Sequence, residues 1–239
     1  MFEELDYQQT PLGAVSLRRR NDPKLNGDML WEVKLNDEFL MSSAFTVGER
    51  VLAEHGLARL EQSSVTAVVG GLGLGYTAAA ALSDTRITEL VVIEFLSPVL
   101  EWHRQGWLPD TQIVVDDPRC RLLAGDFFAL SQSADGFDHG APGRRFDAVL
   151  LDIDHSPRHR LNEDDSEFYS QAGMRALAAQ LNDGGVFGMW SNDPPDDDFT
   201  DVLETVFLNV EAEVVRFPNP YQGGDAQCTL YFGDAASAL

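Results

Sequence analysis

The chain has 239 residues, 44% of them hydrophobic, enough for the core of one large α/β domain or of a domain with a small appendage, so disorder is not the default. Its 17 basic and 39 acidic side chains give a formal charge of −22, which disfavours nucleic acid and anionic membrane surfaces as partners and would attract a small cationic substrate, although solubility or a saline habitat explains the acidity equally well. Cys120 and Cys228 lie far apart without metal-ligand spacing, the start MFEELDYQQT lacks an apolar signal core, and no run approaches the ~18 apolar residues of a membrane span. These features imply neither a disulfide framework nor a zinc site, and they fit a reducing cytoplasm.

Residues 1–45 read as a small N-terminal β-module. Alternating runs around Ala14–Leu17 and Leu30–Leu35, separated by the turn-rich NDPKLNGD, predict a hairpin, and a third short strand is expected at Glu38–Met41; Arg18 to Arg20 read as a solvent-facing basic patch. From Thr46 the spacing of Val47, Val51, Leu52, Leu57 and Leu60 predicts a helix leading into a buried strand at Val65–Val69. A small-residue helix, Thr77–Leu82, follows. Strands are then expected at 89–94, 121–124, 146–151 and 185–190, with helices at 97–105, 166–181 and 197–208. Ser131–Arg145 reads as an exposed loop, and Ala212–Arg216 with Gln227–Phe232 as a closing antiparallel pair. Alternation of this kind gives residues 46–239 an α/β class: a Rossmann-like, doubly wound, mostly parallel sheet.

The segment VTAVVGGLGLG, followed 23 residues after Gly71 by Glu94 at the end of ELVVIE, has the form of a nucleotide-binding crossover. Glycines after a buried strand let the backbone approach a ligand, and an acid at the tip of the next strand accepts hydrogen bonds from ribose hydroxyls. Ligands of such sheets bind outside the carboxyl ends of the strands. Those ends present Gly71, Gly73 and Gly75, then Glu94, Gly125 and Asp126, Asp152 and Asp154, and finally Ser191 to Asp193. Asp126 reads equally as an acceptor for an exocyclic amine and as the cap of the following helix, with Phe127 and Phe128 offering a ring face. In FDAVLLDIDHSP, Asp152 and His155 lie just beyond a buried run and suit a base or a binder of a cationic nucleophile; Asn192 and Asp193, in SNDPP, are candidates for the edge of a substrate pocket. Trp102 and His103, in LEWHRQGWL, read as packing or solvated-face residues.

In this sequence of motifs the chain resembles the spermidine synthase family of aminopropyltransferases, relatives of the class I S-adenosylmethionine methyltransferases, over nearly its whole length. The resemblance implies Glu94 on the ribose diol, Asp126 on the adenine amine, Asp152 on the incoming amine, and a homodimer. Where the family has Gly-Gly-Gly-Asp-Gly-Gly, this chain has GGLGLG, without the aspartate that would hold the aminopropyl ammonium of decarboxylated S-adenosylmethionine. The fourth-strand pattern Asp-x-x-Asp-Pro appears as DIDHSP, with His155 in place of the second Asp. In LNDEFLMSSAFTVGER only Glu49 has a counterpart among the family's polyamine-site residues. Loss of the turn carboxylate removes the like charge that would repel the carboxylate of intact S-adenosylmethionine. The expectation is therefore methyl transfer to a small amine or other nitrogen nucleophile. Its alternative is aminopropyl transfer, with Asp152, Asp154, Glu163, Asp164 and Asp165 on cationic nitrogens, and a third reading is a non-catalytic nucleotide binder.

Overall fold

Charge pairing as well as apolar alternation builds the first sheet. The computed structural model describes residues 1–36, 38–153 and 155–236. In it β1 (Phe2–Thr10), β2 (Gly13–Asp22), β3 (Asp28–Leu35) and β4 (Glu38–Ser42) pair in that order, all antiparallel. The sequence reading of this region lacked β1, whose side chains are mostly polar and exposed. Its acids face arginines across the ladder: Arg19 pairs Glu3 at 2.7 Å and Arg18 pairs Glu4 at 3.7 Å. Arg20 is not a solvent-facing charge either, because it bonds Asp22 at 2.6 Å and Glu32 at 2.9 Å. In β4, Met41 pairs Val33 while Phe39 pairs Lys34, so Leu40 is an extra residue in the ladder. Such a bulge turns neighbouring side chains to one side, and Leu40 and Met41 both point into the crevice between the sheets.

α1 (Val47–Ala58) buries Leu52, Ala53, Gly56 and Leu57 and leads into the second sheet. Along the chain follow β5 (Val65–Gly70), α2 (Tyr76–Ser83), β6 (Ile87–Glu94), α3 (Ser97–Arg104), α4 (Ile113–Asp116), β7 (Cys120–Ala124), α5 (Phe127–Gln132) and β8 (Phe146–Leu151). α6 (Gln171–Ala178), β9 (Leu181–Ser191), α7 (Asp197–Glu204), β10 (Leu208–Pro218) and β11 (Asp225–Asp234) complete it. The helix expected over 166–181 is split. Glu163–Tyr169 is a 3-10 segment, and the Ser170 side chain accepts from Gly173 N to start α6 afresh.

The seven strands run in the order β10-β11-β9-β8-β5-β6-β7, parallel from β9 to β7, with the β10–β11 hairpin antiparallel at one edge. Alternate residues of the central strands feed two cores. Ala67, Val69, Leu90, Val92, Ala148 and Leu150 pack toward α1, α2 and the small sheet; Val68, Val91, Ile93, Val149 and Leu151 meet a phenylalanine-rich layer under α5, α6 and α7. Strand order reverses between β5 and β8. This is the switch point at which an open α/β sheet forms its crevice. No described helix is long and apolar enough to cross a membrane.

Candidate active site

The turn after β5 is held in shape from both sides. Gly71, Gly73 and Gly75 have φ of +89°, +49° and +88°, and a side chain at Gly71 would strike the Asp152 carbonyl, so the ends of β5 and β8 close on each other only because this residue is glycine. From one side the buried Glu94 carboxylate accepts from Leu72 N at 3.0 Å, Gly73 N at 3.3 Å and Leu96 N at 2.7 Å. Burial pushes its pKa up while these amides oppose the rise. From the other side the His103 imidazole donates Nε2–H to the Gly73 carbonyl at 2.9 Å. Burial lowers the pKa of His103, and its Nδ1 has no partner among the described residues. His103 thus supports the turn through a polar contact, a role beyond the packing or solvated-face reading of the sequence.

Two cavities meet over this turn. The smaller, about 90 Å3, is walled by Gly71, Gly73, Glu94, Gly125, Asp126, Phe127 and Phe128 of the large sheet's edge and by Leu12, Leu40 and Met41 of the small sheet. Asp126 accepts from Ala129 N at 3.1 Å, so it caps α5 through Oδ1 while lining this cavity. The larger, about 670 Å3, is lined by Glu32, Ser42, Phe45, Glu49, Gly75, Tyr76, His155, Trp190 and Tyr221, among others. Five residues belong to both walls: Leu40, Met41, Gly73, Asp152 and Ile153.

Asp152 is therefore at the junction. Its backbone N donates to Gly70 O at 2.8 Å, and its Oδ2 accepts from the Thr77 hydroxyl at 2.7 Å. Desolvation raises its pKa above the usual carboxylate range against that hydrogen bond. Glu49, in the first turn of α1, is raised further, by desolvation and then by the nearby Asp152 charge. Two such carboxyls share protons as a unit and can take one up at neutral pH. The ring of Tyr76 carries the Arg50 guanidinium 5.0 Å from its centroid. At the far end Tyr221 donates its hydroxyl to Asp22 at 2.7 Å beside the Arg20–Glu32 pair.

Searches at the sequence level give no match, neither to a protein-family model nor to a curated protein. Solved structures do match. A spermidine synthase from Thermotoga maritima has a TM-score of 0.71 at 16% identity, the match covering 98% of this chain and 73% of that one. A spermidine synthase in complex with the transition-state analogue AdoDATO gives 0.74 at 16% identity, over 98% and 74% of the two chains. The fold is that of the spermidine synthases.

On the spermidine synthase fold, the structure gathers Gly71, Gly73, Glu94, Gly125, Asp126 and Asp152 around the smaller cavity, and Gly75 and His155 with Asp152 around the larger. Asp154 lies outside the described residues. Asn192 and Asp193 line neither cavity. The Asn192 backbone N donates to His155 O at 2.7 Å, and the Asp193 carboxylate accepts from His159 at 2.9 Å, facing a separate hollow with Ser156, Arg158 and Asp196. The Ser156 hydrogen bond first, and His159 next, hold Asp193 below the usual carboxylate range. Sequence reasoning did not place Thr77, Met41, Tyr76, Trp190 or Tyr221 in the site. Only Thr77 carried a local signal, as a hydroxyl two residues past a ligand-type glycine turn.

Proposed function

We propose that the chain transfers an aminopropyl group from decarboxylated S-adenosylmethionine to an amine held in the larger cavity. The observation that carries this reading is the junction. Asp152 and Glu49 put carboxyl groups where the donor's tail would meet the acceptor, and no lysine is found among the described residues of either wall. Arg20, the arginine of the larger wall, is committed to Glu32 and Asp22. A donor tail ending in an ammonium is welcome there. One ending in a carboxylate meets like charge, and the other guanidinium nearby, Arg50, is held against the Tyr76 ring. The shared fold with spermidine synthases, one of them solved with AdoDATO, supports the same choice.

The smaller wall suits the nucleoside half of such a donor. Glu94 and Asp126 are acceptors for ribose hydroxyls and an adenine amine, and Phe127 and Phe128 give apolar surface. The donor supplies an already activated carbon on a sulfonium. Asp152 and Glu49 orient the amine and take the proton it loses as the new C–N bond forms and the C–S bond breaks, so positioning and one proton transfer make up the protein's chemical task. A second reading, methyl transfer from intact S-adenosylmethionine to a small nitrogen nucleophile, is favoured by Gly73 and Leu74, which leave the turn itself without a carboxylate.

Calorimetric titration with the two sulfoniums separates the readings. Decarboxylated S-adenosylmethionine is expected to bind at least about tenfold tighter. A preference for the intact form selects methyl transfer, and binding of neither defeats both. With a turning-over acceptor in hand, Asp152→Asn is expected to lower kcat by roughly 10²–10⁴ and to narrow the preference between the two sulfoniums. Undiminished turnover would remove Asp152 from the mechanism.

A further inference from the structure

Met41 lines both cavities, at the boundary where they meet. Its Sδ lies 2.6 Å, and its Cε 2.8 Å, from where a Cβ on Gly73 would stand, so the thioether fills the space above the one turn residue common to both walls. The strand that carries it is irregular at this point: the extra residue Leu40 in β4 sends Leu40 and Met41 to the same side, where a regular strand would send them to opposite faces. Asp152 and Ile153 belong to the same boundary, each lining both cavities. A group moving from donor to acceptor has to pass between these side chains.

We propose that Met41 is a specificity-determining residue whose thioether, seated over Gly73, limits the donor tail to an unbranched chain. The inference rests on the donor reading above and adds a steric half to its electrostatic one. Intact and decarboxylated S-adenosylmethionine differ by one carboxylate on the carbon next to the ammonium, a branch at the depth where the passage is filled from the small-sheet side. A pocket that is merely apolar discriminates a small added group modestly. A filled passage removes the room for it. Leucine matches methionine closely in volume and is expected to preserve the restriction, whereas alanine empties the space.

The test is titration of both sulfoniums into wild type, Met41→Leu and Met41→Ala, with methylthioadenosine as a tail-free control. The wild-type preference for the decarboxylated donor is expected to persist in Met41→Leu and to fall about tenfold in Met41→Ala, with methylthioadenosine affinity changing less than threefold. A preference that survives Met41→Ala overturns this role and leaves the donor reading standing. A wild-type protein that binds neither sulfonium overturns the donor reading, and this role with it. The contact also has a ligand-free check. Gly73→Ala is expected to lower Tm more in the wild-type background than in Met41→Ala, because only the former holds a thioether in the way; equal losses in the two backgrounds would show that Met41 does not fill that space.

Discussion

Glu49 and Asp152 face one cavity from different elements, a helix start and a strand end, and each raises the cost of ionising the other. Their pKa values are higher in the folded chain than in the unfolded one. The folded state therefore keeps protons that the unfolded chain has released, and the pair's contribution to stability is lost as pH rises from the ordinary carboxylate range, about 4.5, through the raised values. Glu49→Gln removes one of the two charges. Its Tm is expected to match wild type at about pH 4.5 and to exceed it by about 3–8 °C at pH 9, measured by calorimetry across that range. A constant difference at all pH would mean that the pair is solvated. Of this pair Asp152 was legible in the sequence, since a buried run ending in an acid states where the side chain must emerge. Glu49 was visible only through family resemblance, because the cavity that the two share brings together residues about a hundred positions apart. Met41, Trp190 and Tyr221 reach the cavity from β4, β9 and the loop before β11. No local pattern announces such convergence.

At the level of elements, two short loops use one device. Asp84 and Arg86 precede and begin the entry to β6, Asp117 and Arg119 the entry to β7, and in each pair the aspartate holds the guanidinium in a fork. The arginines then spend other donors on backbone carbonyls: Arg86 on Leu57 O at 2.8 Å in the last turn of α1 and Leu60 O at 2.6 Å just after it, Arg119 on Leu82 O at 2.7 Å at the end of α2 and on Ile87 O at 3.1 Å in β6. Among these acceptors, Leu57 O and Leu82 O are carbonyls near helix ends, which lack partners within their own helix and are satisfied this way. Arg86→Ala or Arg119→Ala is expected to cost about 1–3 kcal/mol in chemical denaturation, and Lys at either position to recover only part, since a single ammonium cannot reproduce the fork. A loss under about 0.3 kcal/mol would mark these bonds as solvent-compensated. The central strands and their connecting helices were legible because continuous apolar runs of strand length alternate with helical spacing. β1 was not. Its residues satisfy the ladder through Glu3 and Glu4 against arginines of β2, a pattern visible only once the pairing register is known. The single helix expected over 166–181 failed for a local reason, a serine that caps a new helix inside an otherwise periodic stretch.

For the molecule as a whole, the small sheet meets the large one through a shared apolar core that includes Val15, Leu17, Val33 and Leu35, and through polar and aromatic fasteners beside it. Trp102 donates Nε1–H to Asp6 at 2.7 Å, Tyr221 reaches Asp22, Lys24 Nζ donates to Tyr221 O at 3.0 Å, and the Phe45 ring meets Tyr221 at 5.7 Å and Phe217 at 6.0 Å. Between these fasteners lie the two cavities, with Leu12, Leu40 and Met41 on one wall and Glu94, Gly125 and Asp126 on the other. The smaller holds about 90 Å3 and lies open between the two sheets. Whatever occupies that space touches both sheets at once and acts as mortar between them. Saturating ligand, at about a hundred times its Kd, adds about 2.7 kcal/mol to the folded state. Much of that gain will appear as slower amide hydrogen exchange in β4, the edge strand that carries Leu40 and Met41, while exchange in the buried β5 and β8 changes least. Mass-spectrometric exchange with and without ligand reads this directly; protection confined to the glycine turn would mean that the small sheet is a bystander to binding.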